Sequence, residues 1–168
     1  GIKYIITGHN AVTEGYGVSE WSQGHRDWKY IKSIHKKFGK VKTLKTFPHY
    51  GMWKFFEYHV LKRIQTVPLL NYLPFVKEDA QRLLESEFGW RPYAAKHFES
   101  KYTAFYQGYI LPKKFGYDKR RCHLSSLVGS GQITRETALR EIQEPSYPAD
   151  RVAQDKEYVI KKFGLTPD

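Results

Sequence analysis

The first six residues include a nearly continuous apolar run, Ile2, Tyr4, Ile5 and Ile6. This is the pattern of a strand covered on both faces in a parallel sheet. Such a strand needs neighbours on both sides, and the chain offers few. Lys40 to Phe47 (KVKTLKTF) reads as a partly exposed strand, and Val67 to Leu70 as a short one limited by Pro68. Two weak strands make a poor sheet around a strong one. The expectation is a chain that begins inside an α/β domain, the missing strands coming from a preceding half or from another copy.

Most of the remaining sequence predicts helix. Ala11 to Gly24 is a loop rich in Gly, Ser, Thr and Glu. Asp27 can cap a helix carrying Trp28, Ile31, Ile34 and Phe38 at helical spacing, with Gly39 at its stop. An aromatic helix spans about Gly51 to Gln65, with Trp53, Phe56, Val60 and Ile64 as its stripe. Another runs from about Lys77 to Phe88, turning Ala80, Leu83, Leu84 and Phe88 inward before Gly89. Beyond Lys119 follow a helix ending at Gly129-Ser130-Gly131, one opened by Thr134, and one from Asp150 to Phe163.

The densest signal lies between Lys96 and Arg121. Tyr102, Phe105, Tyr106, Tyr109 and Ile110 occupy one helix face, the spacing burial requires. Around them stand Lys96, His97, Lys101, Lys113, Lys114, Lys119, Arg120 and Arg121, opposed by Glu99 and Asp118. Like charges so close repel one another unless something negative binds. Pro112 is expected to end the helix, Gly116 to permit a turn, and Asp118 to cap the next helix.

A formal net charge of +11 favours polyanions: nucleic acid, an acidic membrane surface, or nucleotide and nucleotide-sugar substrates. The single cysteine, Cys122, excludes an intrachain disulfide and a multi-cysteine zinc site. No stretch has the roughly 18 apolar residues that span a bilayer, and Lys3 interrupts the short apolar start. A soluble cytoplasmic protein is expected, with no membrane partner.

No self-sufficient catalytic signature occurs: no G-x-x-x-x-G-K-[ST], no H-E-x-x-H and no G-x-S-x-G. The seven histidines show no metal-ligand spacing, so no metal held by protein ligands alone is expected. Gly129-Ser130-Gly131 follows no strand and reads as a turn between helices. Two half-sites remain. Gly8, His9 and Asn10 follow the first strand, where ligands of parallel sheets bind. His97 and Glu99 are the candidates for acid-base work, since histidine titrates near neutral pH. An exposed His and Glu at a helix entrance is the plainer alternative.

The run KHFESKYTAFYQGYILPKKFGYDKRRCHLSSLVGSGQITRETALREI resembles the C-terminal signature of the N-acetyl sugar amidotransferases of bacterial surface-polysaccharide (lipopolysaccharide, O-antigen) biosynthesis. TGHN, LLNYLPFVKEDAQRLLESEFGW and DKEYVIKKFGL extend the resemblance along the chain. It implies the PP-loop ATP-pyrophosphatase superfamily and conversion of an acetamido group on a UDP-linked N-acetyl sugar to an acetamidino group. ATP is implied, with Mg2+ held through its phosphates, and so are glutaminase and cyclase-like subunits as the ammonia source. The superfamily's S-G-G-x-D-S loop does not occur in this sequence. The resemblance therefore implies a C-terminal part: residues 1–95 from a helix-rich PP-loop α/β domain, and 96–168 a helical, basic substrate side. A homo-oligomer through the incomplete sheet is a further expectation.

Carried onto this chain, the resemblance puts Gly8, His9 and Asn10 beside ATP. It makes Lys96, Lys101, Lys113, Lys114, Lys119, Arg120 and Arg121 candidate contacts for the phosphates of the sugar nucleotide and of ATP, while His97 and Glu99 stay candidates for acid-base work on their chemistry alone. An RNA-binding module of a PP-loop tRNA-modification type is the alternative, because basic and aromatic residues together also suit phosphate tracking and base stacking.

Overall fold

The structure is a computed structural model and describes residues 1–18, 21, 27–49, 51–93, 96 and 98–166. The chain divides into two compact units, Gly1–Asn10 with Gly17–Leu73, and Ala11–Tyr16 with Pro74–Asp168.

In the first unit, β1 (Tyr4–Thr7) pairs in parallel with β2 (Gln65–Pro68), Tyr4 opposite Gln65 and Ile6 opposite Val67. The Gln65 amide donates to the Lys3 carbonyl at 2.8 Å, extending the ladder by one bond. The expected two-sided cover is not present. Tyr4, Ile5 and Ile6 are 66%, 49% and 69% exposed. One short neighbour satisfies backbone bonds along one edge and buries neither face. Lys40 to Phe47 forms turns rather than the expected strand, and the second strand begins at Gln65, two residues before its expected start.

Helix α2 (Trp28–Phe38) starts where Asp27 accepts from the Lys29 and Tyr30 amides, and it stops at Gly39. Trp28 stacks on His49 at 3.8 Å, which ties the helix to the turns after it. Helix α3 (Met52–Phe56) widens into a π-helical segment, Glu57–Leu61, four residues short of the expected end at Gln65. Its stripe is not buried: Trp53 is 85% exposed and Phe56 44%.

The second unit holds the core. Helix α1 (Ala11–Glu14) occupies what reads as loop in the sequence, and lies against α6 (Arg120–Gly129). Buried Ser126 of α6 accepts from the Tyr16 amide at 3.1 Å and donates to the Cys122 carbonyl, fastening that segment down. Helix α4 (Lys77–Phe88) has the expected bounds and ends at Gly89, whose φ of 62° suits glycine. Its apolar face stays open, however, with Phe88 77% and Leu83 56% exposed.

Helix α5 (Lys101–Phe105) opens on a Ser100 cap and runs on as a π-helical stretch, Tyr106–Phe115. Pro112 lies inside this helix and does not end it. Proline lacks the N–H that the Gly108 carbonyl would receive in an α register. Here that carbonyl accepts from Ser146 Oγ at 2.7 Å. The helix stops at Gly116 instead, with φ of 70°.

Helices α7 (Arg135–Gln143) and α8 (Val152–Phe163) complete the unit. Thr134 caps α7 through the Thr137 amide. A glycine turn joins α6 to α7: the Gln132 amide donates to the Leu127 carbonyl, with Gly131 at φ 73°. Phe105, Ala104, Tyr147 and Val159 form the core, with Phe98, Tyr109, Ile110 and Val152 packed on it. Of the predicted aromatic face, Phe105 is fully inside, whereas Tyr102 and Tyr106 stack on each other nearer the surface.

Candidate functional site

A cavity of about 370 Å³ opens in the second unit. Leu124 and Leu127 of α6 give it an apolar floor, and Phe75 adds to one wall. Trp90 and Tyr93 meet edge to face at 5.6 Å on another wall. Lys77, Lys96, Arg120, His123 and Glu141 supply its charged and titratable groups. Aromatic walls with a few placed polar groups suit a small polar ligand that carries a ring.

The local sequence explains how these residues arrive. Trp90 follows the glycine that ends α4, and its amide donates to the Leu84 carbonyl at 3.2 Å. Lys77 is the first residue of α4, whose N-cap position is Val76, a residue with no capping group. Gln132 takes over that task from 55 residues away. Its Oε1 accepts from the Lys77 amide at 3.1 Å and its Nε2 donates to the Phe75 carbonyl at 2.8 Å.

The cations differ in how far they are engaged. Lys96 Nζ lies 2.8 Å from Glu14 Oε1, both about one-third exposed. Arg120 is heavily engaged: its guanidinium chelates Asp118 and donates to the carbonyls of Glu141, Ile142 and Glu144. It holds the end of α7 against the start of α6. The Asp118 carboxylate also accepts from the Arg120 amide at 3.0 Å, although the N-cap position of α6 falls on Lys119, one residue later than expected, and has no capping side chain.

A recess of about 40 Å³ shares Lys96, Arg120 and His123 with the 370 Å³ cavity and adds Lys119 and Ser146. A separate cavity of about 560 Å³ is lined by Glu99, Lys101, Arg151 and the buried pair Tyr147 and Asp155. Tyr147 Oη donates to Asp155 Oδ2 at 2.6 Å, and Lys101 Nζ stands 3.4 Å from Asp155 Oδ1. Burial first, then the bond to Asp155 and its charge, push the Tyr147 phenol well above its usual range.

The predicted site residues are therefore dispersed. Lys96 and Arg120 share the 370 Å³ cavity, Lys119 lies in its recess, and Glu99 and Lys101 line the 560 Å³ cavity, which Tyr93 also borders. Arg121 borders an apolar groove with Leu124 and Ile142, while Lys113 and Lys114 are exposed near the end of the long helix. Gly8, His9 and Asn10 belong to the first unit. Asn10 is buried, and its amide donates to the Gly8 carbonyl at a long 3.5 Å. A Cβ added at Gly8 would meet no protein atom within 4 Å. His97 lies outside the described residues. Among the described residues no cluster of three His, Cys, Asp or Glu could hold a metal ion.

Trp90, Tyr93, Lys77 and Gln132 were not singled out by sequence reasoning. The glycine stop before Trp90 was a usable signal, because it directs the chain out of a helix with two aromatic rings following. No local signal pointed to Gln132.

The class these features define is a helical unit with a cationic, aromatic-walled cavity. Residues 99–168 match the family model described as LPS biosynthesis protein WbpG-like, C-terminal domain. The match agrees with the resemblance drawn from the sequence, over that segment. No curated protein and no solved structure matches the chain.

Proposed function

We propose that this chain is the substrate-side part of an ATP-dependent amidotransferase of the PP-loop class. Its substrate is a UDP-linked N-acetyl sugar, whose acetamido group becomes an acetamidino group. The observation that carries this reading is the cavity that sets Lys77 and Lys96 around the Trp90–Tyr93 pair. Lysine ammonium groups suit a diphosphate, and aromatic faces suit a base or sugar ring. The match of residues 99–168 to a lipopolysaccharide biosynthesis family supports it independently.

ATP, with Mg2+ bound through its phosphates, supplies the activation of the carbonyl oxygen in this reading. The residues of this chain do not by themselves make a pyrophosphate grip. S-G-G-x-D-S is absent from the sequence. The role assigned to the chain is therefore binding and orientation of the sugar nucleotide. Ammonia comes from glutaminase and cyclase-like partners, and the setting is cytoplasmic.

Calorimetric titration of the chain with a UDP-linked N-acetylhexosamine tests the proposal, with single-stranded RNA titrated in parallel at several salt concentrations. Saturable sugar-nucleotide binding is expected. Tight RNA binding with a steep salt slope and no response to the sugar nucleotide would replace this reading with the RNA-binding one.

A further inference from the structure

Between Trp28 and Phe56 the sequence carries eight lysines and not one aspartate or glutamate. Half of those lysines lie on α2. At about 100° per residue, Lys29, Lys32, Lys36 and Lys37 fall on one arc of that helix. Trp28, Tyr30, Ile31, Ile34, His35 and Phe38 fall on the opposite arc.

That apolar arc is only partly used by the first unit. Its Trp28 edge packs under His49 and near Phe47, at ring distances of 3.8 and 6.0 Å. Its other edge is open: Phe38 is 70% exposed, Ile34 42% and Tyr30 39%, and Val41 just beyond is 61% exposed. Lys40, Lys42 and Lys45 follow in exposed turns.

We propose that α2 and the lysine-rich turns after it form a docking surface for an anionic lipid bilayer, the helix lying in the plane of the interface. A short helix with sharply divided lysine and apolar arcs is what adsorbs to such a surface. The apolar edge enters the boundary between headgroups and acyl chains. The lysines reach the phosphates while their methylene stems lie along the apolar surface.

That no helix among the described residues is long and apolar enough to cross a membrane bears on spanning, not on adsorption. The expectation of no membrane partner rested on spanning segments alone. Charge complementarity selects an anionic occupant, and the exposed aliphatic residues select lipid over nucleic acid. Ile34 and Val41 present no π-face to a base, and one face of Trp28 is already taken by His49. This inference does not depend on the sugar-nucleotide reading.

Flotation with vesicles decides it, using phosphatidylcholine alone and phosphatidylcholine containing one-quarter phosphatidylglycerol. The chain is expected to float with the anionic vesicles and to stay behind with the neutral ones. Each surface lysine contributes about fivefold in partition, so Lys32→Gln with Lys36→Gln should lower it about 25-fold. Ile34→Ser with Phe38→Ser keeps the charge, and should lose the binding that wild type retains in high salt. All four positions are exposed or lie at the open edge, and unchanged circular dichroism confirms that both variants fold. Equal flotation with neutral and anionic vesicles, or none with either, would overturn the proposal. So would a lysine double variant that floats like wild type. Binding of a single-stranded oligonucleotide without any flotation would assign the surface to nucleic acid instead.

Discussion

Tyr147 Oη lies 2.6 Å from Oδ2 of Asp155, and both side chains are buried beneath the aromatic helix that organises the second unit. Rings of Phe98, Phe105 and Tyr109 surround Tyr147 at 5.8 to 6.5 Å. Removing the hydroxyl leaves Asp155 buried, with the longer Lys101 contact as its remaining side-chain partner among the described residues. Tyr147→Phe should therefore cost about 1–3 kcal/mol in urea denaturation at neutral pH.

The same pair sets a pH dependence. The Tyr147 phenol is held above its usual range by burial and by Asp155. A raised value in the folded state means that the unfolded chain loses this proton first as pH rises. Its contribution is thus complete below the ordinary phenol value of about 10 and falls as pH climbs past it. The stability gap between wild type and Tyr147→Phe should narrow in urea titrations run above pH about 10. A gap that stays constant would show that the phenol is not perturbed.

Gly108 is a second point where the fold leaves no room. A Cβ there would sit 2.7 Å from Tyr147 Cδ2 and 2.8 Å from the Ser146 carbonyl oxygen. Gly108→Ala should destabilise by about 1–3 kcal/mol through overpacking, although alanine favours helix in isolation. Ser146→Ala removes the donor to the Gly108 carbonyl and should cost about 1 kcal/mol. Thermal unfolding of the two variants beside wild type measures both.

Gln132 caps α4 from a distance, and its loss should be felt there. Gln132→Ala is expected to cost about 0.5–2 kcal/mol, the range for a lost cap. Hydrogen exchange should quicken at the first-turn amides of α4, with Lys77 most affected. Gln132→Glu keeps the acceptor for the Lys77 amide and should restore most of that protection. Equal exchange in all three proteins would mean that the helix start is held by something else.

What was legible in the sequence follows the range of the interactions involved. The Asp27 and Thr134 caps, the Gly89 stop and the bounds of α4 are set within a few residues, and the structure has them. Burial was less legible. Leu83, Phe88 and Trp53 recur at helical spacing yet stay exposed, because periodicity states which residues share a face and not whether anything covers it. Pro112 misled for a related reason: the helix continues through it in a widened π form and stops only at Gly116.

The candidate site was legible only in part. The cationic stretch was visible as composition, but its members turn to different surfaces once the helix is built. Arg120 is consumed by Asp118 and three carbonyls, a fate that depends on where α7 ends. Trp90 and Lys77 reach the cavity because a glycine stop and a distant glutamine place them there.

The central claim is that the cavity of the second unit binds a sugar nucleotide. Calorimetric titration of a UDP-linked N-acetylhexosamine into wild type, Trp90→Ala and Lys77→Ala tests it most directly. The account predicts saturable binding to wild type and about tenfold weaker binding in each variant, the scale of one stacking or one charge-assisted contact. Affinity unchanged by both substitutions, or no binding to the folded wild-type chain, would contradict it.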